Sequence, residues 1–410
     1  MTRTVLSGGQ VFDGTGSPMA TADVVISEGL IVDVGIGLDG DDHVDVSGLT
    51  LLPGFFDCHV HVMVSGVDLV RRLQRPFSYQ FFEAARNLAA TLDCGITTVR
   101  DAGGADLGVQ RAVADGLIGG PRMQIAISAL SQTGGHGDGW LPSGMTTSLM
   151  SPHPGRPAGL VDGPEEMRKR VREIIRAGAN VIKVHTSGGV LSPRDSPKHA
   201  QFRPDELAAL MAEASAAGLP VMAHAQATDG IKNAVRAGVR SIEHGIYLDD
   251  EAIEMMLGAG TWLVPTLVAP HAVLSAAKAG SQLPDGVVAK AREVMAAHAD
   301  AFARAVAAGV KVAMGTDSGV GPHGSNLDEL PLMAAGGLTP VQVLTATTSS
   351  AAELLQVADA TGTIMPGKRA DIVVLAGDPL DLANLKGNVR AVYCGGAQVR
   401  GSRALVGPPA

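Results

Sequence analysis

The 410-residue chain has 32 Lys and Arg against 41 Asp and Glu, and its formal net charge of −9 argues against a surface that binds polyanions. Hydrophobic residues make up 46% of the chain and charged residues 18%, which is typical of a globular protein with a large core. Aromatic residues are only 3%, which leaves little material for a base-stacking surface. We therefore expect no nucleic-acid partner.

The N-terminal residues and the cysteines bear on location. Residues 1–9 lack the basic stretch and apolar run of a signal peptide, and no later segment has about 18 uninterrupted apolar residues. The cysteines Cys58, Cys94 and Cys394 are odd in number and far apart, which favours reduced thiols over a disulfide framework. These features predict a cytoplasmic protein with no membrane partner.

The predicted elements change in character along the chain. From Thr4 to about Asp45, apolar and polar residues alternate between turn signals, which predicts strands without helices. Short Val- and Ile-rich runs then alternate with Ala-rich helical stretches, which is typical of repeated strand–helix units. Towards the end, residues 371–375 and 391–394 again predict short strands.

The central part contains eight candidate strands, the number that a closed parallel barrel requires. They are residues 51–61, 96–100, 123–128, 181–185, 220–224, 241–244, 262–266 and 310–314. The helices predicted between them are residues 79–92, 164–176, 204–217, 229–237, 250–257 and 287–308. The sequence therefore predicts an α/β protein: a (β/α)8 TIM barrel over residues 56–360, with a small β-sandwich domain built from residues 1–55 and 361–410.

Metal-binding side chains stand at the ends of several predicted strands. His59 and His61 are two residues apart, so they project from one face of the first strand and can hold one metal ion together. His224 and His244 end the fifth and sixth strands, and Asp317 follows the eighth. In a closed barrel these ends converge on one mouth, where the active sites of this fold lie. Four imidazoles and a carboxylate at one point would repel or stay unsatisfied without a metal, so we predict a metal site.

Lys183 lies on the fourth strand, and an ammonium group buried beside divalent cations would be repelled and costly. It is then either deprotonated by its surroundings or converted by carbon dioxide to a carbamate that bridges two metals as a carboxylate would. The alternative is an ordinary barrel lysine whose tip reaches solvent or a carboxylate. His185 shares the face of Lys183 and lies either near the site or in core and loop packing.

This set of residues, in this order, resembles the amidohydrolase superfamily. Residues 53–57, 362–364 and 366–371 are also similar to the small β-domain of that superfamily. The resemblance implies a binuclear centre with two zinc ions per chain. By that resemblance the ligands are His59 and His61 with Asp317 for the more buried ion, His224 and His244 for the more exposed ion, and a carboxylated Lys183 bridging both.

Three glycine-rich stretches narrow the resemblance. Residues 97–104, 131–138 and 186–190 are similar to prolidase-like dipeptidases, carboxypeptidases and ochratoxin-type amide hydrolases, a branch that overlaps with imidazolonepropionase-like proteins. At a barrel mouth such loops bring backbone N–H groups and His136 close to a substrate. We predict that His136 is catalytic and contacts the scissile carbonyl oxygen or another substrate group; the alternative is a plain loop histidine. Some relatives have Tyr where this chain has Gln226, so their substrate preference does not carry over.

The resemblance implies hydrolysis of an amide bond by a hydroxide that bridges the two metals. Asp317 is expected to take the proton of the hydroxide and return it to the leaving nitrogen. The expected small-molecule partner is a dipeptide or N-acyl amino acid that releases its C-terminal amino acid. Barrels of this kind often associate, so a homo-oligomer is also compatible with the sequence. The cations suited to the substrate carboxylate, or else merely solvated, are Arg71, Arg72, Arg75, Arg194 and Lys198.

Three other functions compete with this one. A deaminase is disfavoured, because many have Glu where this chain has Ala227, and they usually hold one metal whereas this chain has a lysine on the fourth strand. Hydrolysis of a cyclic amide of the imidazolone type, a lactone or an aryl amide would use the same binuclear centre. A non-enzymatic scaffold is least favoured, because such a protein is expected to have lost ligands that this sequence keeps.

Overall fold

The computed structural model describes residues 2–147, 150–192 and 194–401; residues 402–410 of the predicted small domain, and Met1, lie outside this description. Its strands are β1 (Thr4–Val11), β2 (Ala20–Ser27), β3 (Leu30–Gly35), β4 (Asp42–Asp45), β5 (Leu49–Pro53), β6 (Phe55–Val60), β7 (Ile96–Asp101), β8 (Arg122–Ile125), β9 (Ala129–Leu130), β10 (Ile182–His185), β11 (Val221–Ala225), β12 (Ser241–His244), β13 (Trp262–Val264), β14 (Ile372–Ala376), β15 (Val389–Cys394) and β16 (Ala397–Arg400). Its helices are α1 (Leu69–Leu73), α2 (Tyr79–Asp93), α3 (Leu107–Ala114), α4 (Gly163–Arg176), α5 (Pro204–Ala216), α6 (Thr228–Ala237), α7 (Asp250–Ala259), α8 (Val268–Lys278), α9 (Val287–Ala308), α10 (Glu329–Ala335), α11 (Pro340–Ala346), α12 (Ser349–Leu354) and α13 (Leu385–Asn388).

Strands from both ends of the chain form one eight-stranded sheet in the order β16-β15-β14-β5-β1-β2-β3, with β4 paired to β1. The two ends meet where β14 runs antiparallel to β5, with Ile372 opposite Pro53. The predicted sandwich requires two separately paired sheets, but β1 pairs with β4 through its first half and with β5 through its second. Because an irregularity between Leu6 and Gly9 interrupts the register of β1, this one strand serves both halves of the sheet.

The central strands form two parallel sheets. β9 to β13 make a five-stranded sheet in the order β13-β12-β11-β10-β9, and β6, β7 and β8 make a three-stranded sheet. In both sheets every strand pair is parallel. Helices follow most of these strands, as in the predicted strand–helix units.

The paired strands do not form a continuous closed barrel. The predicted eighth strand, residues 310–314, has no regular ladder and only a single bridge from Val312 to Leu263 of β13. On its other side the Cys58 N–H of β6 donates to the Met314 carbonyl at 2.9 Å. The segment therefore contacts both parallel sheets, but its hydrogen bonds are too few and too irregular to continue either one.

Two other predicted strands are not continuous in the structure: one is divided in two, and the other is extended only as far as Ile125. The prediction for residues 51–61 covers β5 of the terminal sheet and β6 of the parallel sheet, which separate at Gly54. A Cβ at Gly54 would lie 2.1 Å from Thr97 Oγ1, so only glycine allows this close approach. The prediction for residues 123–128 breaks between β8 and β9, because Ile127 has a left-handed φ of 64° that ends the extended chain.

The six predicted helices are present as α2, α4, α5, α6, α7 and α9, with bounds that differ by two residues or fewer. In α4, acidic residues in the first turn favour the helix N-terminus, and Met167, Val171 and Ile174 form its buried face. The helix ends before Gly178, whose φ of 101° suits only glycine. The short helices α1, α3, α8 and α10 to α13 were not among the predictions.

The core has two main parts. The larger cluster packs the parallel strands, through residues such as Val99 and Ile182, against the helices, through residues such as Leu88. A separate cluster fills the terminal sheet and includes Leu51 and Ile372, one from each end of the chain. None of the helices in the described ranges combines the length and the apolar character needed to cross a membrane.

Candidate metal centre and active site

A cavity of about 580 Å³ lies at the carboxyl ends of the parallel strands. Lys183, His224 and His244 reach it from the neighbouring strands β10, β11 and β12, and His59 reaches it from β6. All the predicted site residues line this cavity: His59, His61, His136, Lys183, His224, His244 and Asp317. The fold therefore gathers the whole predicted set in one place.

The most compact group of metal-binding atoms belongs to His59, His244 and Asp317, whose ligand atoms lie within 4.8 Å of one another. The Nε2 atoms of His59 and His61 lie 3.6 and 3.4 Å from Asp317 Oδ1. Ligands bound to one zinc ion at about 2.0–2.2 Å are themselves about 3–3.5 Å apart. Each of these two separations suits a pair of ligands on one divalent ion, but the structure groups His244, rather than the predicted His61, with His59 and Asp317.

Hydrogen bonds determine which ring nitrogen of His59 and His61 is available. The His59 Nδ1 atom lies 2.7 Å from Glu243 Oε2, and the His61 Nδ1 atom lies 2.8 Å from the Gly103 carbonyl oxygen. Because an ionised carboxylate and a carbonyl only accept hydrogen bonds, each Nδ1 carries the proton. Each Nε2 therefore holds the lone pair that a metal ion requires.

The two histidines predicted for the more exposed ion also lie together. The rings of His224 and His244 have centroids 4.6 Å apart, and His244 Nδ1 lies 2.6 Å from Thr266 Oγ1. His224 differs from the others, because its Nε2 lies 3.1 Å from the Gly188 carbonyl oxygen. In this arrangement His224 donates from Nε2 and holds its lone pair on Nδ1.

Burial favours the uncharged forms of the candidate ligands. Desolvation lowers the pKa of His61 to about 4 and lowers the pKa values of His59, His224 and His244 well below their ordinary range. Desolvation also raises the pKa of Asp317 to about 7. A neutral imidazole is the form that binds a metal, and a nearby divalent cation would favour the ionised form of Asp317.

Lys183 gives the clearest test of whether the residues suit a bridging carbamate. Its side chain is 1% exposed, and its Nζ has no hydrogen-bond partner within the described ranges. Burial lowers its pKa to about 8, so the neutral amine that reacts with carbon dioxide is accessible near neutral pH. A carbamate would replace one unpartnered nitrogen by two oxygens suited to divalent ions, so the residues present fit the predicted group.

A buried ion pair behind the metal-binding residues was missed from the sequence. Arg100 Nη2 donates to Glu243 Oε1 at 2.9 Å, and Arg100 Nε donates to the Cys58 carbonyl at 2.7 Å. Both charged side chains are almost completely buried. A Glu immediately before His244 inside an apolar strand was the available signal, because a buried charge is rare unless it is paired.

Asp57 holds the loop that carries Asp317, another role that the sequence did not reveal. Its Oδ1 accepts from the backbone N–H groups of His59 and Thr316, each at 3.1 Å. Its Oδ2 accepts from Thr316 Oγ1 at 2.6 Å and from Asn326 Nδ2 at 2.7 Å. Burial raises the pKa of Asp57 to about 6 in spite of these bonds. One carboxylate thus ties the end of β6 to the segment after residues 310–314.

Three residues have left-handed backbones: the last residues of the sixth and seventh predicted strands, and one residue shortly after the eighth. The φ angles are 72° at His244, 53° at Thr266 and 58° at Asp317. Each such residue costs about 1–3 kcal/mol and persists only where the surrounding structure holds it. These turns orient two candidate metal ligands and the hydroxyl that contacts one of them, which supports a functional site.

His136 lies directly against the candidate metal ligands. Its ring stacks on His224, with centroids 4.2 Å apart and an angle of 17° between the planes. The His185 ring lies 5.0 Å from His136 and 5.2 Å from His224, and its Nδ1 has no partner in the described part of the chain. His185 therefore lines the cavity and adds a further imidazole to the five predicted ones, rather than being a residue of the core.

Of the five cations predicted to meet a substrate carboxylate, Arg72 lines the cavity. Three of the others are engaged by different partners: Arg75 forms an ion pair with Glu83, Lys198 forms an ion pair with Glu293, and Arg194 lies over the Trp140 ring. Arg71 is not among the residues that line the cavity. Burial lowers the pKa of Arg72 to about 10, so it stays a cation at neutral pH.

Comparison with known proteins gives matches along nearly the whole chain. Residues 50–399 match the model of the amidohydrolase family. Ochratoxinase of Aspergillus niger is 35% identical over 401 residues, covering 92% of this chain and 82% of that protein. Its crystal structure gives a TM-score of 0.87, with 34% identity and coverage of 98% of this chain and 96% of that one.

Two further relatives bear on the substrate. The crystal structure of a prolidase in complex with N-methylphosphonate-L-proline has a TM-score of 0.90 and 38% identity, covering 98% of this chain and all 100% of that one. Imidazolonepropionase of Rhizorhabdus wittichii is 28% identical over 389 residues, covering 86% of this chain and 87% of that protein. These matches confirm the predicted resemblance and its branch.

Proposed function

Because the chain belongs to the amidohydrolase family and is a hydrolase that acts on amide bonds, we propose that it is a binuclear metal enzyme. We propose that its reaction releases the C-terminal amino acid of a dipeptide or N-acyl amino acid. The observation that supports this best is the convergence of neutral imidazoles, Asp317 and the unpartnered Lys183 in one cavity. We also infer that residues 310–314 join the two parallel sheets into one barrel, because they contact β13 at one edge of the five-stranded sheet and β6 at one edge of the three-stranded sheet.

The ligands would be divided as the sequence predicts. His59 and His61 with Asp317 would hold the more buried zinc ion, His224 and His244 would hold the more exposed one, and carboxylated Lys183 would bridge the two. The available Nε2 atoms of His59 and His61 support the first assignment. When bound, the ions supply an acidified water and polarise the substrate carbonyl.

Asp317 carries out the proton transfer. Its carboxylate lies between the histidines of the cavity, and burial raises its pKa to about 7. Bound divalent ions would favour the ionised form of this carboxylate, which is the form that accepts a proton. Asp317 therefore takes the proton of the attacking hydroxide as its oxygen adds to the carbonyl carbon and gives that proton to the leaving nitrogen as the C–N bond breaks, while His136 contacts the substrate next to that bond.

The cavity wall favours an apolar side chain on the substrate. Val190, Ile246, Val273 and Val320 form one apolar cluster on its lining. Arg72 offers a cation for the carboxylate of the released amino acid. The complex of the prolidase relative with N-methylphosphonate-L-proline supports a substrate that contains an amino acid.

The proposal is tested by offering zinc-loaded protein a library of N-acyl amino acids and dipeptides and identifying the released amino acids by mass spectrometry. We expect release of C-terminal residues with apolar side chains. Release of none, from protein shown to contain two zinc ions per chain, would contradict the proposal.

The role of Asp317 is tested by Asp317→Asn, with Asp285→Asn as control. Asp285 is exposed and is next to Pro284 on the cavity lining, so it shares the charge change but not the site. We expect Asp317→Asn to remove nearly all turnover and Asp285→Asn to leave it unchanged. Near-normal turnover by folded, metal-loaded Asp317→Asn would show that another group transfers the proton.

A second candidate function is hydrolysis of a cyclic amide, which the imidazolonepropionase relative supports. The same metal centre would serve, but a ring substrate has no separate amino acid to release. Cyclic amides, lactones and aryl amides belong in a second library. Turnover there, with none of the linear compounds cleaved, would favour this alternative.

A further inference from the structure

We propose that Asp195 is a positioning residue for His136. Acting through Ser192, Asp195 fixes the proton on His136 Nδ1, so that the Nε2 atom faces the substrate with its lone pair. Lys290 of α9 holds the loop that carries Ser192 and Asp195. The proposal rests on the proposed function for the catalytic part of its test. The supporting contacts lie in the connection between β10 and α5, where Ser192 is buried and the side chain of Asp195 is 5% exposed.

The hydrogen-bond pattern determines the His136 tautomer. His136 Nδ1 lies 2.8 Å from Ser192 Oγ and 3.5 Å from Asp195 Oδ2. Ser192 Oγ in turn makes a short hydrogen bond to Asp195 Oδ1. A serine hydroxyl has one hydrogen, and an ionised carboxylate only accepts, so that hydrogen goes to Asp195. Ser192 Oγ must then accept from His136, which places the proton on Nδ1 and the lone pair of the neutral ring on Nε2.

The carboxylate is itself held from several sides. Asp195 Oδ2 accepts from the Gly189 N–H at 3.1 Å and from Gln201 Nε2 at 3.4 Å. The other end of the Gln201 amide accepts from the His136 backbone N–H at 3.1 Å. Ring, backbone and carboxylate are therefore linked in one closed set of hydrogen bonds. A set with every member satisfied fixes orientation better than a single bond does.

Lys290 connects this set to the rest of the protein. Its Nζ donates to the carbonyl oxygens of Ser192 at 2.7 Å, Asp195 at 2.5 Å and Gly189 at 3.2 Å, and it lies 3.5 Å from Asp195 Oδ1. An ammonium group has three protons, so these acceptors use its full capacity. One side chain of α9 thus fixes the loop and partly balances the Asp195 charge.

Gly189 shows how closely the loop encloses the ring. A Cβ added to Gly189 would lie 2.2 Å from His136 Cε1 and 2.5 Å from Nδ1. The backbone of Gly189 does not require glycine, because its φ is outside the left-handed region. The absence of a side chain there is explained by the space that the His136 ring occupies.

The first test needs neither substrate nor turnover. Zinc-loaded, full-length protein labelled with ¹⁵N in its histidines is studied by NMR, and the His136 signals are identified as those lost in His136→Ala. We expect a protonated Nδ1 in the unaltered protein and a mixture of tautomers in Asp195→Asn. A ring protonated on Nε2 instead, or a spectrum unchanged by Asp195→Asn, would overturn the proposal.

The second test is a double-mutant cycle on kcat. Supporting groups of this kind are typically worth about 10- to 100-fold, and we expect Asp195→Asn to lower kcat by that factor while zinc content and KM stay close to normal. In the His136→Ala background the same substitution should change kcat by about twofold or less. An equal loss in both backgrounds would mean that Asp195 only maintains the loop. Asp205→Asn, an exposed change at the start of α5, is the control.

A third variant displaces the ring without removing a polar group. Gly189→Ala should lower kcat to the level of His136→Ala, whereas Gly258→Ala, where a Cβ meets no atom within 4 Å, should have no effect. Normal kcat in Gly189→Ala would contradict the proposed placement of His136. If the unaltered protein cleaves no compound at all, the proposed function fails, but the NMR result still decides the role of Asp195.

Discussion

Glu243→Gln tests the candidate metal centre without altering a proposed ligand. Glu243 accepts from His59 Nδ1 at 2.7 Å through one oxygen and from Arg100 Nη2 at 2.9 Å through the other. A carboxamide has one accepting and one donating end, so it cannot satisfy both partners. If its NH2 faces His59, the ring must place its proton on Nε2 and lose the lone pair offered to the metal. If its NH2 faces Arg100, a buried cation loses its counter-charge.

The expected losses of metal affinity and of folding stability can both be given a magnitude. Loss of such a supporting partner lowers metal affinity by about 10- to 100-fold, equivalent to about 1.4–2.7 kcal/mol. A buried cation left without its partner costs about 3–5 kcal/mol of stability. We expect Glu243→Gln to lose zinc to a chromophoric chelator at lower chelator concentrations and to unfold more easily. The control is Glu329→Gln, an equally buried carboxylate that accepts from the Leu267 and Val268 N–H groups instead of from a ligand ring.

The comparison of zinc-loaded and metal-free protein separates the two effects. If Glu243 supports the metal ligands, zinc should stabilise Glu243→Gln less than it stabilises either the unaltered protein or Glu329→Gln. An unchanged zinc affinity, with the same loss of stability in both metal states, would refute the reasoning and make Glu243 a purely structural counter-ion.

Three further predictions follow from the site. Arg72→Gln should raise KM about 10- to 100-fold for substrates with a free carboxylate, because a charged hydrogen bond contributes that much to binding. The KM of the corresponding carboxamides should not change, and equal effects on both series would exclude a contact between Arg72 and the carboxylate. Lys183→Ala should lose zinc and turnover, and acetate should restore part of each; no restoration would argue against a bridging carbamate. Burial lowers the pKa of His298 to about 4, so the unfolded state takes up an extra proton as pH falls below 6.5 and stability is lost. His298→Gln, whose amide can still donate to the His244 and Pro265 carbonyls, should reduce this loss in metal-free protein by about 1.4 kcal/mol per pH unit between pH 6.5 and 4, measured by urea unfolding.

The metal-binding residues could be predicted because they obey local rules. His59 and His61 share a face through the two-residue repeat of a strand, and His224 and His244 end strands that pair in parallel. Their convergence follows from topology alone, because parallel strands present their carboxyl ends on one side. The strand ends were therefore predicted well even though the eighth strand, residues 310–314, is not a regular strand.

The supporting residues could not be predicted, because their partners are distant in sequence and no period links them. Arg100 and Glu243 are 143 residues apart, and Asp57 and Thr316 are 259 residues apart. The first pair joins the two parallel sheets, and the second joins β6 to the segment after residues 310–314; both arrangements are set by packing. Asp195 was hidden for a similar reason: its role depends on the conformation of a loop between β10 and α5.

The buried carboxylates explain why such a site requires cations. Burial raises the pKa of Asp57 to about 6 and those of Asp101 and Asp317 to about 7, although each of the first two accepts three or more hydrogen bonds. Hydrogen bonds alone therefore do not offset the cost of burying three negative charges. Arg100 does not provide the compensating positive charge, because it already pairs with Glu243. Two divalent ions would add positive charge beside Asp317, the one of these carboxylates that lines the cavity, and they would convert it and the neutral imidazoles into an ionised and fixed set of ligands.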